Sequence, residues 1–303
     1  MQRWQNELGG RVGHELLLAY RSILNRIMEA ATVNRRIPIN PVRLVPAPPP
    51  PVDPDAILGH VRRRAFTPQE FGRLLAGTPR FYWDHLVTQV GTGLRSGELL
   101  GLQPARVQLD QARLEVVDVR YEAGKFGSGY RNRPKTRASI RAVPLAPTVV
   151  KAVAAKLDGC PPDGRVFCGP GGSNRVRRGE RSHLSTSNYR RVYRQAVELA
   201  MFTGLDLRVP HDLRATYATL LEVGGIPARV IDELMGHRAG SRGQVDAATV
   251  GAHYRHTTPD MLGQVVEAVE TYLRSALASV PQACSKSKQQ GRRQERGPRR
   301  SGS

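Results

Sequence analysis

Six of the ten residues from Val45 to Pro54 are proline, in the run VPAPPPPVDP. Proline fixes φ and has no amide donor, so such a run favours extended polyproline II and cannot form the interior of a helix or sheet. It predicts a linker over residues 45–66 with folded chain on either side. On the N-terminal side, Leu16, Leu17, Tyr20, Ile23, Leu24, Ile27 and Met28 recur at three- and four-residue spacing. That is one amphipathic helix of about 20 residues. Residues 1–13 hardly supply the apolar partner this helix needs, so residues 1–44 read as a partial, truncated helical domain.

The chain has 303 residues, of which 46 are Lys or Arg and 26 Asp or Glu, for a net charge of +20. Its length leaves room for a large core, and 40% apolar residues is ordinary for a folded protein. No stretch approaches the ~18 apolar residues that span a bilayer, and the start lacks an apolar secretory core. The positive excess points to a polyanionic partner, most simply nucleic acid, with an anionic membrane surface as the weaker alternative. Residues 1–44 carry +4 and residues 281–303 carry +6. The latter segment has almost no large apolar residue and reads as a disordered basic tail. Cys160, Cys168 and Cys284 are odd in number and irregularly spaced, which gives neither a disulfide framework nor a zinc pattern. No structural metal is expected.

Past the linker, Thr67-Pro68-Gln69-Glu70 opens a helix with a Thr N-cap, Pro in the first turn and Glu at the capping-box position. Phe71, Leu74 and Leu75 give it an apolar side. A second helix is predicted over about 82–90, stopped by Gly91-Thr92-Gly93, and a third through Leu99, Leu100 and Leu102. Strands are predicted over 114–121, 129–134 and 138–144, forming one small antiparallel sheet. Helices resume over about 147–157, 184–202, 212–223, 227–235 and 259–278.

Three segments carry chemistry. In Thr92-Gly93-Leu94-Arg95-Ser96-Gly97-Glu98-Leu99-Leu100, an arginine stands where a loop turns into a helix, a place suited to an anion. In Pro210-His211-Asp212-Leu213-Arg214-Ala215-Thr216-Tyr217, His211 and Arg214 share a helix face, and both suit a phosphate with developing negative charge. Leu213, Tyr217, Leu220 and Leu221 bury the other side. In Met235-Gly236-His237, Gly236 ends a helix in the left-handed conformation and sets His237 just beyond it. Tyr254 follows 17 residues later. Each segment is weak alone: surface arginines at helix starts are commonplace, and a lone tyrosine is ordinarily a half-buried core residue.

Together these segments resemble the tyrosine recombinase, or phage integrase, family. Its C-terminal half carries T-G-L-R-x-x-E-L-x-x-L, H-x-L-R-H-x-x-A-T, L-G-H and a nucleophilic tyrosine. Here these are Thr92 to Arg95 with Glu98, Leu99 and Leu102; His211 to Thr219; Met235-Gly236-His237; and Tyr254. Lys135-Thr136-Arg137-Ala138-Ser139-Ile140-Arg141-Ala142-Val143-Pro144-Leu145 matches the family's K-T-x-x-S-x-R-x-V-P-L pattern. The resemblance covers about residues 67–278, in the family's order.

The resemblance implies an α+β, mostly α-helical fold: a catalytic domain over 67–280 with a small antiparallel three-stranded sheet, preceded by the partial helical core-DNA-binding domain. It implies that Tyr254 attacks the scissile phosphate, forming a 3′-phosphotyrosyl link and releasing a 5′-hydroxyl. Arg95 and Arg214 clamp the non-bridging oxygens, and Lys135 protonates the leaving oxygen. His211 is general base or hydrogen-bonding partner, and His237 holds the phosphate or orients the tyrosine. No cofactor and no metal are implied. The implied partners are double-stranded DNA, further copies in a homotetramer on two duplexes, and an accessory DNA-bending or directionality factor. No membrane is involved, and the expected location is the cytoplasm, on the nucleoid.

Departures from the pattern are Ala215 where many members have His, Met235 for the usual Leu, and a long segment between His237 and Tyr254. His253 and His256, which flank Tyr254, are assigned to DNA contacts or structure. Two other readings share parts of this evidence: a non-catalytic DNA-binding remnant of an integrase, and a type IB topoisomerase-like relaxing enzyme.

Overall fold

The computed structural model describes residues 1–50, 65–122, 128–131, 140–171, 178–204, 207–236 and 257–281. The chain divides into two compact units, Met1–Val61 and Arg62–Ser303.

In the first unit, α1 (Gln2–Gly9) packs on α2 (His14–Val33). Residues 1–13 thus form a helix that the sequence did not reveal, but they hardly cover the apolar face of α2, as expected: Leu16, Tyr20, Ile23 and Ile27 stay 41–57% exposed. The pattern hid the helix because the inward residue of α1 is polar: Gln5 is 4% exposed and its Oε1 accepts from Arg21 Nη1 of α2 at 2.7 Å. Arg21 Nη2 also donates to the carbonyls of Val42, at 2.9 Å, and Val45. Buried Asn40 donates to Asn25 Oδ1 and Glu29 Oε2, both at 3.0 Å. The segment after α2 is thus laid back along it by side-chain amides and two guanidiniums, those of Arg21 and of Arg43, which donates to Glu29 Oε1 at 2.9 Å.

The second unit is helical with short strands. α3 (Pro68–Gly77) starts at the expected capping box: Glu70 N donates to Thr67 Oγ1 at 3.2 Å, and Thr67 N donates to Glu70 Oε2 at 2.8 Å. α4 (Trp83–Thr92) is the central helix, with every residue from His85 to Thr92 buried. It packs against α6 (Pro147–Leu157), α8 (Pro210–Val223) and α10 (Pro259–Ala278), while α3 packs on α10 and on α7 (Thr186–Leu199). α5 (Ser96–Gly101) and α9 (Ala228–Met235) are the other α-helices of this unit among the described residues. His85 lies wholly inside. Burial first, with Lys156 adding to it, pushes its pKa down to about 3, so the core holds a neutral ring that meets Cys168 O at 3.1 Å.

The sheet differs from the expected one. The three-stranded antiparallel sheet runs β1 (Val107–Gln108), β2 (Arg113–Val116) and β5 (Arg141–Pro144) in the order β1-β2-β5. β3 (Val119–Glu122) pairs instead with β4 (Ser128–Arg131) as a separate hairpin. The β-rich run expected over 114–121 is therefore two strands, broken before Val119, and residues 129–131 of the strand expected over 129–134 belong to the hairpin, the rest lying outside the described residues. Alternation explains the first sheet: Leu114, Val116 and Val143 point into the core, each 2% exposed or less. A further hairpin of β6 (Gly169–Gly171) and β7 (Arg178–Ser182) had no readable strand signal, being rich in glycine and arginine. The helix bounds of α6 and α10 coincide with those expected.

A candidate phosphate site around Glu98

α4 ends at Gly93, whose φ of +64° reverses the chain into Leu94 and Arg95. Glycine is required there twice over: the backbone is left-handed, and a Cβ would lie 2.5 Å from Tyr217 Cδ1. Arg95 is the N-cap of α5. Its amide donates to Glu98 Oε2 at 2.9 Å, and its Nη1 donates to Glu98 Oε1 at 2.8 Å. Gln89 steadies this turn, donating to Ser96 Oγ at 3.2 Å and accepting from Tyr189 Oη at 2.7 Å. The sequence expectation placed an anion against the amides of this helix start. The structure puts Glu98's own carboxylate on one of them, and the anion-seeking feature is instead the guanidinium cluster that gathers round it.

Glu98 is 3% exposed and sits among three arginines. Arg141, at the head of β5, donates Nη2 to Oε2 at 2.9 Å and Nη1 to Oε1 at 3.4 Å. Arg214 Nη1 lies 3.8 Å from Oε2. Burial by itself raises the Glu98 pKa, but the charge and hydrogen bonds of Arg141, with those of Arg95, bring it net below the ordinary carboxylate value. Arg214 is wholly buried on α8, its Nη1 donating to Gly93 O at 2.6 Å and its Nη2 to Met235 O. Burial lowers its pKa to about 9, and the charge of Arg95 pushes in the same direction. Among the described residues, three guanidiniums against one carboxylate leave two positive charges in excess, an arrangement that favours an anion.

The sequence-predicted residues fall into two groups. Arg95 and Arg214 come together on Glu98. Arg95 keeps 43% of its side chain exposed, so it is the arginine that opens outward. His211 stands in the first turn of α8, exposed, three residues before the buried Arg214. Lys135, His237 and Tyr254 lie outside the described residues, as do His253 and His256. α9 nevertheless ends as expected, with Gly236 left-handed at φ +64°, ψ +40°. Its last carbonyls, which lack intrahelical donors, are taken by arginines: Leu234 O accepts from Arg141 Nε at 2.6 Å and Met235 O from Arg214. Glu98 and Arg141 stood in the quoted motifs with no role attached. Their fixed spacing within those motifs was the only available signal. Among the described residues no trio of His, Cys, Asp or Glu is placed to hold a metal ion, and no helix is long and apolar enough to cross a membrane.

The fold is that of solved recombinase structures. The integrase of transposon Tn1549, in complex with a circular intermediate DNA, aligns with a TM-score of 0.63 at 19% identity over 88% of this chain and 83% of that one. A lambda integrase dimer bound to a core site aligns with a TM-score of 0.54 at 18% identity over 76% of this chain and 75% of that one. A curated relative, a tyrosine recombinase XerC-like protein of Caldanaerobacter subterraneus subsp. tengcongensis, is 29% identical over 195 residues. That match takes in 60% of this chain and 46% of the relative, so the chain spans about half the length of the curated protein it matches. The phage integrase family profile matches residues 67–259, and the chain belongs to that family.

Proposed function

We propose that this protein is a site-specific DNA recombinase, or integrase, that cleaves and rejoins DNA through a 3′-phosphotyrosyl intermediate. The observation that carries the reading is the convergence of Arg95 and Arg214 on one buried carboxylate, beside the helix end that leads to His237. Two guanidiniums so held supply fixed positive charge for the non-bridging oxygens, where charge builds as the phosphorus becomes five-coordinate. Tyr254 is the nucleophile: its oxygen forms the bond to phosphorus as the bond to the 5′-oxygen breaks. A phenol has a pKa near ~10, so it needs help to attack, and His211 serves as its general base or as a hydrogen-bonding partner. Lys135 delivers a proton to the departing 5′-oxygen. His237 holds the phosphate or orients the tyrosine. The covalent link keeps the phosphodiester energy, so a second 5′-hydroxyl reverses the step without ATP.

In this reading residues 67–280 are the catalytic domain, 1–44 part of a core-DNA-binding domain, 45–66 a linker and 281–303 a basic tail on the DNA backbone. The partners are double-stranded DNA and further copies of the chain, four on two duplexes, with an accessory bending or directionality factor. The DNA complexes of the Tn1549 and lambda integrases, including a lambda integrase tetramer on a Holliday junction, support this assembly. The place of action is the cytoplasm, on the nucleoid.

The test is covalent trapping. Nicked suicide duplexes with a randomised core are incubated with the protein, and covalent species are recovered from a denaturing gel and sequenced. A discrete set of trapped sites is expected, abolished by Tyr254→Phe. Trapping that survives Tyr254→Phe removes that residue as nucleophile, and no trapping by the wild type leaves the non-catalytic, DNA-binding reading.

A further inference from the structure

We propose that Arg141 is a positioning residue: by holding the Glu98 carboxylate and the Leu234 carbonyl, it leaves the charges of Arg95 and Arg214 directed at a phosphodiester. The inference rests on the recombinase reading above and gives a role to a side chain that reading does not use.

The geometry makes the argument in two parts. The first is charge. Arg141 is the guanidinium that engages both oxygens of Glu98, at 2.9 and 3.4 Å, and its side chain is 4% exposed. Together the two form a neutral buried pair. Among the described residues this leaves Arg95 and Arg214, two positive charges for a substrate phosphate that carries −1 and approaches −2 in the five-coordinate state. Without Arg141, Glu98 offsets one of those two charges, foremost that of Arg95, whose Nη1 already donates to it at 2.8 Å. The second part is position. Arg141 Nε takes Leu234 O and Arg214 Nη2 takes Met235 O, consecutive carbonyls at the end of α9. One helix end therefore sets the separation of these two arginines, and the chain passes from it through Gly236 to His237. Apolar packing asks for none of this. A buried ion pair is ordinarily no more stabilising than a well-packed apolar pair, so the burial of an arginine here is explained by what it does to its neighbours.

The test uses the full-length protein and a duplex recovered from the trapping selection, under single-turnover conditions. Arg141→Gln is expected to slow trapping by roughly 50-fold with the DNA Kd unchanged, and Arg141→Lys, which keeps the charge but not the fork, by about 10-fold. Removing both charges in Glu98→Gln/Arg141→Gln returns the clamp to +2, and trapping recovers at least about 10-fold over the single variant. On a duplex whose scissile phosphate is replaced by an uncharged methylphosphonate, the Arg141→Gln deficit shrinks to about threefold or less, because no anion then needs the clamp. A purely structural role predicts the same deficit on both substrates, and a recovery in the double variant that is equal on the phosphodiester and the methylphosphonate because it only restores the fold; that result overturns the proposal. Circular dichroism checks folding. If Arg141→Gln does not fold, Arg141→Lys and the double variant carry the same comparison. If the wild type traps no DNA, the recombinase reading fails and the node is still measurable by calorimetric titration with inorganic phosphate. Binding weakened about 10-fold by Arg141→Lys supports the positioning role, and binding equal to wild type overturns it.

Discussion

Each of the two units hangs part of its fold on an arginine that donates to two backbone carbonyls. In the N-terminal unit Arg21 holds Val42 O and Val45 O, and in the C-terminal unit Arg214 holds Gly93 O and Met235 O. The surroundings separate them. Arg21 is part-exposed and also donates to the neutral amide of Gln5, so water and a side-chain dipole balance its charge. Arg214 is fully buried and shares one carboxylate with two further arginines, so among the described residues positive charge outnumbers negative around it. The apolar faces differ in the same direction. On α2, Leu16, Tyr20, Ile23 and Ile27 are 41–57% exposed, whereas Phe71, Leu74 and Leu75 on α3 are sealed. Amphipathic spacing makes both helices, and the number of elements available to pack on them decides which face is buried.

That contrast is open to attack at three points, the largest effect first. Phe71→Ala removes a fully buried ring that meets Phe66 edge-on at 6.4 Å. It is expected to destabilise the C-terminal unit by about 3–5 kcal/mol. Urea unfolding read through Trp83 in a Trp4→Phe background measures it, since each unit carries one of the two tryptophans. A loss under about 1 kcal/mol would mean that this core is no tighter than the N-terminal one.

Gly93→Ala comes next, at about 1–3 kcal/mol, because alanine must adopt a positive φ and meet the Tyr217 ring. Since Gly93 O is the Arg214 acceptor, covalent trapping is expected to fall further than the stability loss explains. Trapping that merely tracks the folded fraction would separate the turn from the site. The smallest effect is expected in the N-terminal unit: Ile23→Ser, on the exposed side of α2, should change stability by no more than about 0.5 kcal/mol. A loss of several times that, followed through Trp4, would show that this stripe is covered in solution.

Much of the helical fold was readable locally. α3 and α10 announce themselves through an N-cap and a first-turn proline, and both caps are present: Thr258 Oγ1 accepts from Met261 N at 3.4 Å. The left-handed stop at Gly236 was likewise visible as glycine after an apolar run, whereas α4, expected to stop near residue 90, runs on through Gly91 and Thr92 to Gly93. The sheet was less readable. β1 is two residues long, and the run from Leu114 to Tyr121 shows no local signal for the break that sends β3 to a different partner. At the candidate site, the motifs pointed to Arg95, His211 and Arg214 because resemblance fixes their order along the chain. They did not show that Glu98 is the meeting point, since residue type and spacing carry no information about which distant groups converge.

Sequence alone therefore determined the helical segments other than α1, the chain reversal at Gly236, the excess of positive charge and the family. These follow from side-chain periodicity, backbone-restricted residues and motif order, all of which act within a few residues or add up over the whole chain. Tertiary structure decided which arginines share a carboxylate. Arg141 reaches 43 residues back to Glu98 and 93 forward to Leu234, and Arg214 reaches 121 residues back to Gly93. Such contacts exist only once α5, β5, α8 and α9 have packed together, because a buried carboxylate stays ionised only where the fold delivers donors to it, and here the fold delivers three guanidiniums to one.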